Sequence, residues 1–419
     1  MLVKAGVFDS ATVAGNQAIA GVGFKPKLVI LFSCKNTADT VQSVEANFLS
    51  MFGAGTGPTE RFAGSSWERN TSDPTEADRR FISTAILTMN ENGTITMEAD
   101  LASMDDDGFA LNWTAVNGTA RKIFYLAIGG DGVQVKIGFF NTNTTTGNQA
   151  VTGVGFKPQM LLSFLNINST TEGSSTNHSR SMGYADTPGV SSTVHAFSYL
   201  GFDNVGTSDE QRGNRTAEWM VVASGSAFDF LATFASMDAD GFTFNIATAA
   251  ATSRKWAYIA ISGVRAKVIR VASPTANGTQ QISGVGFKPL AIFLNSTHTS
   301  GTAFTGNSKE TLGVATGPTN RFYTAQRAQG GQATAVASHR QRQDKFIVSI
   351  DGSVTSEADL QSMDEDGFTL NWTTTDTSTR HFAGWALAES AEVLERQRYK
   401  IEESTLLRVN RIAEHLVGA

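Results

Sequence analysis

The stretch Gly21-Val-Gly-Phe-Lys-Pro26, running straight into Lys27-Leu-Val-Ile-Leu-Phe32, decides how this chain folds. Its hexapeptide returns unchanged at Gly153–Pro158 and Gly284–Pro289, after 132 and then 131 positions. Each copy leads into an apolar run, Gln159–Leu165 and Leu290–Leu294 in the later two. Runs of this kind without helical spacing read as strands buried on both faces, or as inner strands of a sandwich. The proline stands just before the run, where no ladder donor is yet needed, and the glycines permit a positive φ or a tight approach. The hexapeptide is therefore a device for turning into a strand.

Ser-Met-Asp-x-Asp-Gly-Phe follows every copy, at Ser103–Phe109, Ser236–Phe242 and Ser362–Phe368, at intervals of 82, 83 and 78 positions. Two unrelated motifs keeping step over such distances mark a triplicated unit. Its length of about 130 residues is that of an ordinary domain and exceeds the 20–50 residues of most solenoid repeats. A closing strand recurs at Arg121–Ile128, Arg254–Ile261 and Arg380–Leu387, and its aromatics Tyr125, Tyr258 and Trp385 are expected to pack the core. The second motif predicts a hairpin turning at Asp105–Gly108. A calcium loop on Asp105, Asp106 and Asp107 would need a bidentate glutamate at position twelve, where this chain has none. The expected fold is all-β: three tandem antiparallel β-sandwich or jelly-roll-like domains over 1–130, 131–263 and 264–388. A C-terminal helical segment, 389–419, completes the chain.

Composition narrows the chemistry. Charged residues make up 17% of the chain, below the roughly 25% of ordinary globular proteins. A net charge of −6 over 419 residues leaves no footprint for nucleic acid or an anionic membrane. The single cysteine, Cys34, ends an apolar run and is expected to be a buried, inert thiol. No run approaches a membrane span of about 20 apolar residues. The first repeat begins at about Lys4, so no signal peptide is expected and synthesis is placed in the cytoplasm. Without that export route, glycosylation at triplets such as Asn112-Trp-Thr and Asn371-Trp-Thr is not expected.

Candidate chemistry is sparse. Glu98 and Asp100 share one face of a strand, as do Glu357 and Asp359, and paired carboxylates invite a glycosidase reading. The second repeat has Leu231 and Thr233 there, and a polar outer face explains the pair equally well. The histidines, at 178, 195, 298, 339, 381 and 415, occupy non-equivalent places without metal-ligand spacing. No nucleophile elbow, phosphate loop or dinucleotide fingerprint occurs. An enzyme, a cofactor and a metal are accordingly not expected, and no ligand-binding residue is assigned. The middle of each unit varies, over Ser66–Arg80, over Asn166–Arg180 with Gly201–Arg215, and over Arg327–Lys345. Repeats 1 and 3 share Thr-Gly-Pro-Thr-x-Arg-Phe (Thr56–Phe62, Thr316–Phe322), where repeat 2 has Asp186-Thr-Pro-Gly. Kept frames with varied loops are how binding modules are built.

Beyond Ser390 the chain turns charged and helical. Glu392/Arg396 and Arg398/Glu402 are opposite charges four apart, and Leu406, Val409, Ala413 and Leu416 form one stripe. Residues 390–417 read as a helix that docks on another protein, with homo-oligomerisation or packing on the third domain as alternatives.

On these motifs the chain resembles the tandem-repeat virion proteins of tailed bacteriophages, in which Gly-Phe-x-Pro followed by an apolar strand recurs. The likeness covers about residues 4–388. It is also similar to H-type lectins in Phe24-Lys-Pro26, Gly108-Phe109 and Tyr125-Leu-Ala127. Those lectins are six-stranded sandwiches that trimerise and bind sugars between subunits, a trimer that three fused copies could imitate. The resemblance implies a non-enzymatic virion protein of the tail or particle exterior. It would be anchored to other virion proteins through 390–417 and would attach to a host-surface glycan. A capsid decoration protein is the alternative, and a polysaccharide-degrading tail enzyme the second.

Overall fold

The structure is a computed structural model that describes residues 1–40, 44–166, 169–186, 194–225, 227–301 and 305–390. The docking helix expected over 390–417 lies outside the described residues. What is described is all-β. In the first repeat the strands are β1 (Leu2–Asp9), β2 (Gly15–Ala20), β3 (Pro26–Ser33), β4 (Glu45–Ala46) and β5 (Phe48–Gly57). They continue with β6 (Glu60–Glu68), β7 (Ala77–Ile82), β8 (Leu87–Glu91), β9 (Thr94–Asp105), β10 (Gly108–Ala115) and β11 (Lys122–Gly129). An antiparallel sheet in the order β2-β10-β9-β8 packs on a larger antiparallel sheet, β1-β11-β3-β5-β6-β7. The other two repeats have the same order, with first and last strands at Gln134–Asn141 and Lys255–Ser262, and at Val264–Ala272 and His381–Glu389.

Each larger sheet has a seventh strand, and that strand is foreign. Gly173–Thr176 of the second repeat pairs with β7, and Thr305–Gly306 of the third pairs with Glu210–Arg215 of the second. β4 of the first repeat then pairs with Val336–Arg342 of the third. Every repeat caps one neighbour and is capped by the other, so the three close around a pseudo-threefold axis. The exchange also covers a sheet edge that would otherwise present unpaired amides.

The apolar run of β3 now has its explanation. Side chains alternate between faces along a strand. Val29 and Leu31 join Ile19, Leu101 and Leu111 between the two sheets of their own sandwich. Leu28, Ile30 and Phe32 face outward, into a second core assembled by all three repeats around the axis. Phe164 of the second repeat lies with its ring centroid 5.1 Å from Phe52 and 5.0 Å from Phe62 of the first. Phe293 of the third lies 6.2 Å from Phe52, and Phe322 lies 4.8 Å from Phe124. Each such aromatic side chain contributes about 1.5–3 kcal/mol on full burial.

Trp385 is buried in a core as expected, but not in the one its counterparts occupy. Tyr125 and Tyr258 do pack within their sandwiches, opposite Gly6 and Gly138. In the third repeat the cross-strand pair is inverted, with Gly384 opposite Ile269. The tyrosine ring needs that glycine, because a Cβ on Gly6 would sit 2.4 Å from the Tyr125 ring. Once isoleucine fills the slot, the aromatic cannot share it. Trp385 stands one residue later, hence on the opposite face. It stacks on Phe293 in the axial core, with centroids 5.5 Å apart.

Along β5 and its counterparts, side chains from all three repeats point at the axis in layers. Pairing with the preceding strand makes Phe52, Met182 and Leu312 equivalent. Two residues earlier the equivalents are Ser50, Arg180 and Glu310, and they meet. Arg180 Nη1 donates to Ser50 Oγ at 2.6 Å and to Glu310 Oε2 at 2.7 Å, and Ser50 Oγ donates to Glu310 Oε2 at 2.8 Å. Gln326 and Tyr199 also donate to that oxygen, while Arg180 Nε reaches Asn166 Oδ1 at 3.2 Å. The layer is buried and internally satisfied. Removing one partner of such a pair leaves the other as an uncompensated buried charge, which costs about 3–5 kcal/mol, whereas replacing both by apolar side chains is often neutral. We expect Arg180→Met to lower denaturant stability by that amount, and adding Glu310→Leu to recover most of it. Equal loss in the single and double variants would show that the layer does not act as a unit.

Candidate functional site

The two signature motifs touch. Gly21 N and Gly23 N, in residues with φ of +80° and +88°, donate to the two carboxylate oxygens of Asp107 at 3.0 and 2.6 Å. Asp240 holds Gly153 and Gly155 in the same way, and Asp366 holds Gly284 and Gly286. The second aspartate of one motif closes the turn of the other, which is why they keep step. Asp105 accepts from Ser103 Oγ at 2.8 Å, and Asp106 stands exposed, 3.9 Å from Lys25 Nζ. The three acids have separate partners instead of a common centre.

The paired carboxylates are likewise engaged. Arg61, from the Thr-Gly-Pro-Thr-x-Arg-Phe motif, pairs with Asp100, and Arg321 pairs with Asp359. Arg80 Nε meets Glu98 at 2.9 Å, and Glu357 accepts from Tyr323 Oη at 2.8 Å and lies 3.3 Å from Arg340. In the second repeat the counterparts of Arg61 and Asp100 are Val194 and Thr233. Base and acid are missing together, so the pairs hold sheets in place.

The described histidines scatter, as their spacing implies. His195 is fully buried with both ring nitrogens unpartnered, and burial holds its pKa well below the ordinary range. His298 Nε2 lies 2.7 Å from Thr311 Oγ1. His381 is partly exposed. His178 is different. It lies fully buried beside the axis, with Nε2 2.9 Å from Glu68 Oε2 of the first repeat and 2.9 Å from Glu210 Oε2 of its own. Burial, then the Glu210 charge, pushes Glu68 up to about 8. Burial opposes the charge on His178, but Glu210 and Glu68 outweigh it and raise its pKa to about 10. Neither Glu68 nor Glu210 stood out in the sequence. The only available signal is that Phe48 and Ser308 occupy the places equivalent to His178, and it appears once strand registers are known.

A cleft of about 570 Å³ opens between the first and third repeats. One wall is the loop after β3, where Lys35 adopts φ +61° and its amide is held by Ser33 Oγ. Its ammonium pairs with Glu91 and lies 3.1 Å from Thr96 Oγ1. The opposite wall is β4 with the strand it joins in the third repeat, and the chain then turns at Asn47 (φ +74°). His339 stitches the walls together. Its Nδ1 lies 2.8 Å from the Asn47 carbonyl, and its Nε2 lies 2.6 Å from the side-chain amide of Asn36. Burial holds His339 down at about 4, so it is neutral at physiological pH. Thr37 and Glu45 are exposed at the rim, and Arg121 carries a buried Nε without a hydrogen-bond partner. Lys35 and Arg121 balance Glu45 and Glu91, so the cleft is polar but close to neutral. It suits an uncharged, hydroxyl-rich ligand better than an ion.

The Asp107 and Asp366 clasps have a signature in pH. The glycine amides hold both carboxyls below their ordinary value of 3.8. A depressed folded-state pKa gives stability that is present above the ordinary value and lost as pH falls through the folded one. Asp366→Ala should therefore lower Tm at pH 7, with the deficit shrinking as pH falls below the ordinary carboxyl value of 3.8. A deficit independent of pH in a melting series would assign the loss to the turn alone. The chain matches no known protein-family model, and no curated protein matches it significantly.

Proposed function

We propose that this chain is a bacteriophage virion structural protein of the tail or particle exterior that binds a host-surface glycan in the cleft between its first and third repeats. The cleft carries this reading. It lies where two β-sandwich modules meet, its charges cancel, and it offers amide, hydroxyl and guanidinium groups on walls already fixed by His339. Neutral sugars present many hydroxyls and no net charge, and prearranged polar groups bind them at a low ordering cost. The pseudo-threefold arrangement supports the comparison with lectins that take sugars between subunits. The arginine partners of Glu98, Asp100 and Asp359 weigh against a polysaccharide-degrading role for those acids. The segment 390–417 would anchor the ring to other virion proteins.

The test is a glycan array followed by calorimetry on the purified chain. Arg121→Ala and Thr37→Trp should each weaken the selected glycan at least about tenfold, the loss of roughly 1.4 kcal/mol expected for one charged hydrogen bond or a blocked rim. Their Tm should stay unchanged. Absence of binding to any envelope polysaccharide, with antibody-gold label over the phage head, would replace this reading with that of a capsid decoration protein.

A further inference from the structure

We infer that Glu68, His178 and Glu210 form a binding site for one divalent transition-metal ion, of the Zn²⁺ or Mn²⁺ class, beside the pseudo-threefold axis. His178 Nε2 and one oxygen from each carboxylate all lie within 4.8 Å of one another, and Nε2 stands 2.9 Å from both oxygens. Two donors each about 2.1 Å from one ion are separated by about 3.0 Å at the octahedral right angle and about 3.4 Å at the tetrahedral angle, so small adjustments bring the three atoms to the spacing of neighbouring ligands. An imidazole with two carboxylates is a donor set such ions accept.

Two further observations point to a missing ligand. The first is unmet valence. His178 Nε2 is hydrogen-bonded to Glu210 Oε2 and ion-paired with Glu68 Oε2, yet both Glu68 oxygens, Glu210 Oε1 and His178 Nδ1 lack a hydrogen-bond partner although buried. All three side chains have no exposure. Buried charges are found paired or coordinating metals. Metal binding displaces the protons from its ligands, and the resulting two carboxylates and neutral imidazole carry a charge of −2, which one divalent ion cancels.

The second is reserved space. Strand pairing makes Glu68, Gly201 and Ala328 equivalent in the three repeats. A Cβ on Gly201 would stand 2.0 Å from His178 Nε2 and 2.3 Å from each Glu210 carboxylate oxygen. The second repeat thus lacks a side chain at the point where the three ligands converge. The ring of Phe48, 4.5 Å from that of His178, fixes the imidazole from the side. The ligands come from three strands of two repeats, so histidine spacing in the sequence could not reveal them.

The full chain should be unfolded in chelator, refolded with Zn²⁺, with Mn²⁺ or without metal, desalted, and assayed by elemental analysis and thermal melting. One equivalent of metal per chain is expected, with Tm higher than in the metal-free protein by more than about 5 °C. Glu210→Gln keeps the shape but removes a ligand charge; it should reduce occupancy at least tenfold and abolish the metal-dependent Tm shift. Metal retained equally by Glu210→Gln would mark adventitious surface binding and overturn the site. No retained metal, with Glu210→Gln as stable as the parent or more so, would also overturn it and leave a proton-sharing triad.

Discussion

Everything in this molecule depends on burying the second face of the larger sheet. A lone sandwich needs one apolar face per sheet, yet β3 is apolar on both, through Val29 and Leu31 on one side and Leu28, Ile30 and Phe32 on the other. Left in water, the outer face of one repeat would be a large exposed apolar patch. Three such faces turned toward a common axis remove the problem together. The exchanged strands Gly173–Thr176, Thr305–Gly306 and β4 then hold each sheet to the next by backbone hydrogen bonds. These repeats are of domain size, but none supplies its own seventh strand.

How much of this was legible follows from the range of each signal. The repeat, the strand after each Pro26-type proline and the hairpin at Asp105–Gly108 are local patterns, and composition with periodicity exposes them. The partnership of Asp107 with Gly21 and Gly23 is not local. The sequence displays both motifs but not the hydrogen bonds that couple them. Arg61 and Asp100 give a similar lesson, since the sequence displays their joint absence from the second repeat but not the ion pair that joins them. That Trp385 joins the axial core is hidden because a one-residue offset reverses the face of a strand side chain, and the glycine–tyrosine inversion behind that offset lies across strands. The cleft and the His178 cluster were illegible for a stronger reason: each is built from different repeats.

Joining the copies in one chain permits what a trimer of identical subunits forbids. On an exact threefold axis every layer repeats one residue three times. Three serines could meet where Ser50 lies, but three copies of Arg180 or of Glu310 would place like charges together in a dry interior, where ionisation is strongly disfavoured. The observed layer works because its three members differ and complement one another. The order of the repeats around the axis is set instead by the strand exchange, because each repeat gives its strand to one neighbour and receives one from the other.

The same freedom extends one layer further. At the positions of Phe48, His178 and Ser308, one repeat supplies a ring that packs, one an imidazole, and one a small hydroxyl. The paired strand supplies Glu68, Gly201 and Ala328: a ligand, a gap and a filler. A threefold-symmetric version would set three glutamates around three imidazoles, or three gaps around none. Asymmetry confines the charge to one side of the axis, where Glu68 and Glu210 can converge on a single imidazole. Elsewhere in that layer Phe48 packs against Tyr199, Ala328 and Ala337. Pseudo-symmetry accounts for the fold of this protein. The departures from it, at Arg180, at His178 and in the cleft beside His339, mark the places where one repeat acquired chemistry that the other two lack.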